Sequence, residues 1–222
     1  MSVGDFREKR QHIPVAREGL PFILAAMFST LIAAVLGWAA VSVLFLALTF
    51  LIGHFFRDPE RVCSAGETEI VSPADGHIIS VKKVPSVRFL DKPALKISIF
   101  MSILDVHVNR VPISGSLEGL HYRKGRFLAA NHAQASEENE QNWLWIKSNS
   151  GIDVVITQVA GLIARRIVCW PKIGDRLVQT ERFGMIRFGS RMDVYVPENS
   201  EILVFQGNHV YAGETVLCRL NP

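Results

Sequence analysis

The longest apolar segment of the chain lies near its N-terminus, where residues 19–53 contain no charged side chain. About 20 consecutive apolar residues are enough for one helix to cross the hydrocarbon core of a bilayer. The segment is therefore too long for one simple crossing and close to the minimum length for two. Gly37 and Trp38 lie near its middle, where a turn and an interfacial aromatic anchor are expected. This pattern predicts a membrane-embedded helical hairpin over residues 19–56, preceded by a basic segment over residues 1–18.

Basic residues flank both ends of this segment, at Arg7, Lys9, Arg10, Arg17, Arg57 and Arg61. Because positively charged flanks stay on the cytoplasmic side of a membrane, a hairpin with both ends in the cytoplasm fits this distribution better than a single span. A single tilted span or a re-entrant anchor is the main alternative. A removed signal peptide is disfavoured, because its apolar region would be about 7–15 residues long and no clear cleavage site follows.

Beyond residue 57 the pattern changes to short segments rich in valine and isoleucine, separated by glycine, proline, aspartate and asparagine. Turn signals at this spacing are typical of sandwich and barrel folds. The predicted strands are Ile70–Val71, Gly76–Val84, Ala94–Met101, Gly115–Arg123, Asn142–Ser148, Ile152–Val159, Arg187–Val196, Glu201–Phe205 and Thr215–Leu220. Short helices are expected at Val106–Asn109 and Gly161–Ile167, and a polar surface loop at HAQASEENEQN, residues 132–142. The fold class predicted for residues 57–222 is a mainly β globular domain, barrel-like or sandwich-like.

A faint internal repeat relates the segments IGDRLVQTERFGMI, from Ile173, and QGNHVYAGETVLCRL, from Gln206. Each segment has a turn, an aliphatic position and a second turn that leads into a strand. The pattern resembles the hammerhead-type turns of biotinyl and lipoyl carrier domains, but neither copy has the lysine that would carry such a cofactor. Two similar β-hairpin turns are sufficient to explain the repeat.

Composition narrows the range of functions. The net charge of +3 is modest and the basic residues are scattered, whereas a nucleic-acid-binding surface requires them to cluster. We therefore expect no nucleic-acid partner. The three cysteines, Cys63, Cys169 and Cys218, show no CxxC spacing. They indicate reduced thiols in a cytoplasmic setting rather than a disulfide framework or a zinc site, so no bound metal is predicted.

Three short motifs carry residues that could take part in chemistry. Asp75 lies in SPADGHI, which by itself fits an ordinary turn. His107 follows an apolar strand in MSILDVHVNRVP, where a structural histidine is the simpler interpretation. Ser190 lies in RFGSRMD, inside a predicted strand, where Gly189 would mark a bulge or a close backbone approach. A serine hydrolase has little support, because the GxSxG turn that exposes its nucleophile is absent.

A different use of the Gly-Ser pair makes better physical sense. A serine hydroxyl can attack the carbonyl of the residue before it and convert that peptide bond into an ester. Gly189 leaves room for this attack and tolerates a strained backbone. A base must accept the hydroxyl proton, and donors must stabilise the oxyanion. Elimination from the ester leaves dehydroalanine, which hydrolyses to a pyruvoyl group at the start of a new chain. The expected products are residues 1–189 and residues 190–222.

The motifs SPADG, DVHVNRVPISG and RFGSRMDVYVP, in this order behind an N-terminal apolar segment, resemble phosphatidylserine decarboxylase in its short prokaryotic form. In that form F-G-S replaces the L-G-S-T of longer members. The resemblance extends from about residue 57 to residue 220 and includes VITQVAGLIARRIVCW and AGETVL. It implies a precursor that cleaves itself at Gly189-Ser190 and carries a covalent pyruvoyl cofactor derived from Ser190. The implied reaction is decarboxylation of phosphatidylserine to phosphatidylethanolamine through a Schiff base.

The resemblance also implies roles for individual residues. Ser190 becomes the pyruvoyl group, His107 matches the first histidine of the family's D-x-H-x-x-H-x-P segment, and Asp75 matches its S-P-A-D-G aspartate. His107 is the expected proton donor to the carbanion. Arg110 stands where the family has its second histidine, which in the longer form is associated with an Asp–His–Ser arrangement for self-cleavage. The identity of the cleavage base therefore stays open between His107, His121 and another group.

A lipid substrate fits the apolar segment, because a site held at the bilayer surface can reach a lipid head group. We therefore expect the chain at the cell membrane, with its catalytic domain on the cytoplasmic face. The two cleavage products are expected to form a heterodimer, and a higher oligomer stays open. Two alternatives remain: a pyruvoyl decarboxylase of a soluble amino acid, which would not need the hairpin, and a membrane-tethered β scaffold, which would not be cleaved.

Overall fold

The computed structural model describes residues 14–128, 138–161, 166–187 and 189–221. These residues form two compact units, one that ends at Glu60 and one that begins at Arg61. The first unit is helical, and the second consists mainly of β-strands. The mainly β fold class predicted from the sequence is therefore confirmed.

The helical unit contains two apolar helices joined by a short turn. A 3-10 turn at Arg17–Gly19 leads into α1 (Leu20–Val35), and α2 (Ala39–Phe55) follows. Gly37 has a φ of 74°, a left-handed conformation that glycine adopts without a steric penalty and that commonly ends a helix. The break between the helices thus lies where the sequence predicted it.

The two ends of the helical unit lie side by side. The Ala16 amide donates to the Phe56 carbonyl at 2.7 Å, and the Asp58 amide donates to the Pro14 carbonyl at 2.9 Å. The segment Arg17–Val35 is long and apolar enough to cross a bilayer, and 17% of its most apolar stretch is buried. The second helix is apolar but shorter. A core helix of a soluble domain would be mostly buried.

The β unit contains fourteen strands within its described part, and every pairing between them is antiparallel. The strands are β1 (Glu69–Val71), β2 (Gly76–Val84), β3 (Ala94–Met101), β4 (Val108–Arg110), β5 (Gly115–Arg123), β6 (Gln141–Ser148), β7 (Asp153–Val159), β8 (Ile167–Cys169), β9 (Arg176–Leu177), β10 (Arg182–Ile186), β11 (Ser190–Pro197), β12 (Glu201–Ile202), β13 (His209–Val210) and β14 (Val216–Arg219).

Eight of these strands form one curled sheet in the order β13-β2-β3-β11-β7-β6-β5-β9. Side chains alternate between the two faces of a strand, so the segments rich in valine and isoleucine supply one apolar face. That face builds the main core, which includes Ile97, Ile99, Leu144, Ile156, Met192 and Val194. Within the sheet, β11 is hydrogen-bonded to β3 on one side and to β7 on the other.

Two three-stranded sheets, β1-β14-β12 and β4-β10-β8, complete the described part of the β unit. Both contribute to the main core, through residues such as Ile70 and Leu217 in the first and Phe183 in the second. The sheet β4-β10-β8 matters for the candidate site. Its strand β4 begins directly after His107, and its strand β10 ends shortly before Ser190.

One predicted helix is wrong, and most of the other lies outside the described residues. Val106–Asn109 was predicted as a helix, but Val108–Arg110 forms β4, because β10 pairs with it and its side chains are buried. The helix predicted at Gly161–Ile167 includes residues 162–165, which lie outside the described part of the chain. At its end Ile167 begins a strand, β8.

The polar loop predicted over residues 132–142 is wrong at its C-terminal end. Gln141 and Asn142 are buried and begin β6, where they pair with β7. Asn142 is also the first residue of the predicted strand Asn142–Ser148, which is confirmed. Residues 132–137 of this loop lie outside the described residues. Hydrophilic composition was a poor guide here, because buried amides can pair with one another inside a sheet.

A group of charged side chains is buried on the face of the large sheet opposite the main core. Lys96 Nζ lies 2.8 Å from Asp193 Oδ2, and Arg191 Nε lies 3.0 Å from Asp193 Oδ1. Burial by itself would raise the pKa of Asp193, but the two adjacent cations outweigh it and hold that pKa below its ordinary value. Asp193 is therefore an ionised carboxylate at neutral pH.

We expect Asp193→Asn to destabilise the fold most strongly at neutral pH. The carboxylate stabilises the folded chain above its ordinary pKa of about 3.9, and this stabilisation is lost as pH falls through the lower pKa of the folded state. The amide removes the counter-ion that Arg191 and Lys96 share, at a cost of roughly 3–5 kcal/mol. Thermal unfolding of the detergent-solubilised chain from neutral pH to about pH 3 should show a lower Tm and a weaker acid dependence.

The matched control is Glu198→Gln, which removes the exposed Lys83–Glu198 ion pair. Exposed pairs contribute at most about 1 kcal/mol, so this variant should unfold close to the wild-type temperature. Equal Tm values for Asp193→Asn and wild type at neutral pH would contradict the stabilising role of the buried group.

Candidate active site

Gly189 and Ser190 lie where the chain leaves one sheet and enters another. Strand β10 ends at Ile186 in a small sheet, and β11 begins at Ser190 in the middle of the large sheet. The single strand predicted over Arg187–Val196 is therefore interrupted, and Gly189 lies in a connection rather than in a bulge. Its φ of 60° is left-handed, and within the described part of the chain no heavy atom beyond its chain neighbours lies within 4 Å of where a Cβ would be. Only glycine adopts this backbone without strain.

Ser190 is fully buried and pairs with Met101, the last residue of β3. Its Oγ donates a hydrogen bond to Met101 Sδ at 3.3 Å. A thioether sulfur is a weak acceptor, so this contact is easily exchanged for another. The hydroxyl is thus held away from solvent beside the peptide bond that joins Ser190 to Gly189.

Asp75 lies just before β2, at the same end of the large sheet. Gly76 brings the two strands so close that a Cβ would lie 2.1 Å from the Phe100 carbonyl oxygen. Asp75 Oδ1 accepts from the Ala212 amide at 2.7 Å, and Oδ2 accepts from Arg61 Nη2 at 2.9 Å. The carboxylate is therefore buried and held by two donors, which an ordinary turn would not require.

Arg61 connects this carboxylate to the surface. Its Nη1 lies 2.7 Å from Glu214 Oε2, while its Nη2 binds Asp75. The guanidinium also lies over the Tyr211 ring, 5.5 Å from the ring centroid. An arginine can make all three contacts, because its planar group has several donors and a face that stacks on aromatic rings. Residues from the second copy of the sequence repeat thus help to fix Asp75.

His107 is fully buried in the connection between β3 and β4. Its Nδ1 lies 2.9 Å from the Asp105 carbonyl oxygen. A carbonyl only accepts hydrogen bonds, so Nδ1 carries a proton and donates it, which makes Nε2 the acceptor nitrogen of the neutral ring. This hydrogen bond fixes the tautomer and the orientation of the ring.

The strand register brings Asp75, His107 and Ser190 to one end of the large sheet. At this end β2 begins, β3 ends and β11 begins. The backbones of Asp75 and Ser190 are therefore two strand spacings apart, which is a distance of about 10 Å. His107 precedes β4, whose Val108 pairs with Met185 in β10, the strand that precedes Gly189 and Ser190. The three predicted residues therefore share one region of the fold.

The two other residues that the sequence raised have different positions. His121 lies on β5, three strands and about 14 Å from β11. Arg110, at the position of the second histidine, donates through Nη1 to the Thr180 carbonyl at 3.0 Å. Its amide donates to the Pro73 carbonyl at 2.9 Å, two residues before Asp75. Arg110 thus links the segment before Asp75 to the turn at Thr180.

A row of buried amide side chains, which the sequence reasoning missed, leads from the surroundings of Ser190 into the sheet. Asn109 Nδ2 lies 3.9 Å from Met101 Sδ, the atom that Ser190 also contacts. Gln158 Nε2 donates to Asn109 Oδ1 at 2.9 Å, and Asn142 Nδ2 donates to Gln158 Oε1 at 2.9 Å. The sequence could have indicated two of these residues, because Asn109 lies in the motif DVHVNRVP and Gln158 in the motif VITQVAG.

Comparison with known proteins finds relatives along almost the whole chain. A sequence model of phosphatidylserine decarboxylase matches residues 48–218. Relatives named phosphatidylserine decarboxylase proenzyme are 46% identical over 209 residues in Geotalea uraniireducens (94% of this chain, 98% of the relative), 48% identical over 204 residues in Syntrophus aciditrophicus (91% and 96%) and 44% identical over 214 residues in Geobacter sulfurreducens (94% and 98%). The chain belongs to the phosphatidylserine decarboxylase family. The resemblance inferred from the three motifs is thereby confirmed.

Family membership connects the geometry to a reaction class, that of a decarboxylase. The word proenzyme in the names of the relatives describes proteins that are made as precursors. In this chain Asp75, His107, Gly189 and Ser190 all fall within the residues that the family's sequence model matches.

We expect Arg61→Gln to destabilise the fold through Asp75. The substitution removes a charged donor from a carboxylate whose side chain is 5% exposed, at a cost of roughly 3–5 kcal/mol in the free energy of unfolding. The matched control, Glu214→Gln, removes the other ion pair of the same guanidinium. Because the Glu214 side chain is 41% exposed, we expect this change to cost less than about 1 kcal/mol. Thermal unfolding compares the two variants, and equal losses of Tm would contradict the unequal roles of the two pairs.

Proposed function

We propose that the chain is a precursor that cleaves itself between Gly189 and Ser190 and then decarboxylates phosphatidylserine to phosphatidylethanolamine. Family membership over residues 48–218 carries this proposal, since the relatives are named decarboxylase proenzymes. The junction of two sheets at Gly189 and the burial of Ser190 support it locally.

Self-cleavage begins with attack of Ser190 Oγ on the carbonyl carbon of Gly189. The left-handed backbone of Gly189 supports this approach, as does the space that the described residues leave at the position of its missing Cβ. The weak hydrogen bond to Met101 Sδ lets the hydroxyl turn toward that carbon at little cost. Ser190 then loses its Cα proton and the Gly189 carboxylate leaves, which separates residues 1–189 from residues 190–222. Water hydrolyses the resulting dehydroalanine, and the pyruvoyl group forms with release of ammonia.

The pyruvoyl group derived from Ser190 supplies an electron sink for the loss of carbon dioxide. His107 is the proposed proton donor to the product. Its Nδ1 proton is engaged with the Asp105 carbonyl, so Nε2 is the nitrogen that first takes up a proton and then passes it to the product. Full burial of the ring keeps water out of that transfer. Asp75, held by Arg61, completes the proposed catalytic set.

The two products are proposed to stay together as a heterodimer without a covalent link. Residues 190–222 supply β11, β13 and β14, which pair with strands on the other side of the cut, and β12, which pairs with β14. In particular, β11 is bound along both edges. The buried pair between Lys96 and Asp193 also joins residues from the two products.

The helical unit is the proposed membrane anchor. Large apolar side chains are exposed on both helices, including Phe28 at 65% and Phe50 at 71%. Such exposure is unfavourable in water and favourable in lipid. The hydroxyl groups of Ser29, Thr30 and Thr49 donate to carbonyls four residues earlier, so they are satisfied within their helices. The basic flanks favour a catalytic unit on the cytoplasmic face.

We expect Ser190→Ala to remain a single chain of 24.8 kDa on a denaturing gel and to release no carbon dioxide. Alanine has no hydroxyl to attack Gly189, so neither the cut nor the cofactor can form. Ser86→Ala, at an exposed serine elsewhere, is the control and should be cleaved like the wild type. Normal cleavage or activity of Ser190→Ala would contradict the proposal.

A release assay separates the proposed reaction from the alternatives. We expect the cleaved wild-type chain to release labelled carbon dioxide from carboxyl-labelled phosphatidylserine in mixed micelles. Release from free serine or another soluble amino acid, and none from the lipid, would favour the soluble-substrate decarboxylase. A wild-type chain that is never cleaved would favour the scaffold.

We expect His107→Ala to lower kcat by roughly 10²–10⁴-fold per cleaved chain, because a positioned proton donor contributes about that much. The cleaved fraction is measured first on a denaturing gel, and activity is then expressed per cleaved chain. His121→Ala, three strands away, is the matched control and should retain wild-type kcat. Cleaved His107→Ala with unchanged kcat would rule out the assigned role.

A further inference from the structure

Two histidines and one aspartate converge on the surface of the β unit, beside the candidate active site. His77 on β2 and His209 on β13 are directly opposite each other in the strand register. Their ring centroids are 4.5 Å apart, with an angle of 81° between the ring planes. His209 Nε2 lies 3.1 Å from Asp105 Oδ1. One ligand atom from each of the three residues lies within 4.8 Å of the other two.

We propose that His77, Asp105 and His209 form a binding site for a divalent transition-metal ion of the zinc type. Two imidazole nitrogens and one carboxylate oxygen are a donor set that Zn²⁺ accepts, with water in the fourth position. Zinc–ligand bonds of about 2.0–2.2 Å put tetrahedral ligands roughly 3.4 Å apart. The distance from His209 to Asp105 already meets this requirement. Rotation of the exposed His77 side chain shortens the distance from its ring nitrogen to the other two ligand atoms, which is at most 4.8 Å before rotation.

The carboxylate is the fixed part of this site, and the histidines are its accessible part. Asp105 Oδ2 accepts from the Ser102 amide at 2.7 Å, which leaves Oδ1 directed at His209. The Asp105 side chain is 11% exposed and the His209 side chain 31%, while His77 is exposed to solvent. An ion can therefore enter from solvent and find its anionic ligand already oriented. If His209 and Asp105 only formed a hydrogen bond with each other, a second histidine directly opposite His209 would not be needed.

A bound ion would connect parts of the molecule that matter for the proposed function, and this consequence rests on that function. After cleavage His209 belongs to residues 190–222, whereas His77 and Asp105 belong to residues 1–189. The ion would therefore join the two products. It would also stiffen the loop of His107, because the carbonyl of Asp105 accepts the His107 Nδ1 hydrogen bond.

Zn²⁺ titration calorimetry tests the site on the full-length, detergent-solubilised chain without a polyhistidine tag. The titration is made on both the wild type and Ser190→Ala, so that the result does not depend on cleavage. We expect one ion per chain, and Co²⁺ in its place should show visible ligand-field absorption. His77→Ala and His209→Ala should each weaken binding by more than the roughly 10–100-fold that loss of an outer-shell partner causes. His121→Ala, a histidine outside the cluster, should bind like its parent.

Metal-free unfolding separates the loss of a ligand from the loss of the fold. His77→Ala and His77→Gln should unfold at the parent temperature without metal, and should lose the rise in Tm that Zn²⁺ gives the parent. Absence of Zn²⁺ binding to the parent chains, or binding that survives removal of both histidines, would overturn the proposal. Failure of the proposed function would instead appear as an uncleaved wild-type chain and would leave the ion titration unchanged.

Discussion

The rest of the structure depends on one constraint, which is that β11 is hydrogen-bonded along both edges from its first residue. Because β3 and β7 hold this strand, Ser190 cannot leave Met101 without breaking the middle of the large sheet. The preceding chain arrives from a different sheet, and Gly189 makes the transition in a left-handed conformation. A backbone conformation that favours glycine therefore lies next to the peptide bond that the proposed chemistry breaks. The same pairing keeps β11 in the sheet once that bond is gone.

Charged contacts fix the loops around this junction. Arg61 binds the buried Asp75 carboxylate, and Arg110 joins the segment before Asp75 to the turn at Thr180. An arginine with this linking role stands where longer members of the family have a histidine. The proposed self-cleavage therefore needs a base other than a histidine at this position. Of the two histidines that the sequence raised, His107 directly precedes the strand that pairs with β10, whereas His121 lies on β5, three strands away from β11.

Much of the fold could be predicted from the sequence, because long strands show a recognisable pattern of valine- and isoleucine-rich segments bounded by turn residues. Three strands have the predicted bounds: Gly76–Val84, Ala94–Met101 and Gly115–Arg123. Strands of two or three residues, such as β4 and β13, are too short to show an alternation of apolar and polar residues. They form because strands distant in sequence pair with them. The site divides in the same way. Motifs indicated Ser190 and its expected partners, but the Ala212 amide that binds Asp75 is 137 positions away in sequence. The pairing of His77 with His209 is equally invisible before the chain folds.

Intact-mass spectrometry of the purified wild-type protein is the most direct test of self-cleavage at Gly189-Ser190. We expect two polypeptides, one that ends at Gly189 and one that comprises residues 190–222 with a pyruvoyl group in place of the first serine. The smaller polypeptide should have no free α-amine. A single uncut chain, a cut at another peptide bond, or an unmodified serine at position 190 would contradict the proposed mechanism.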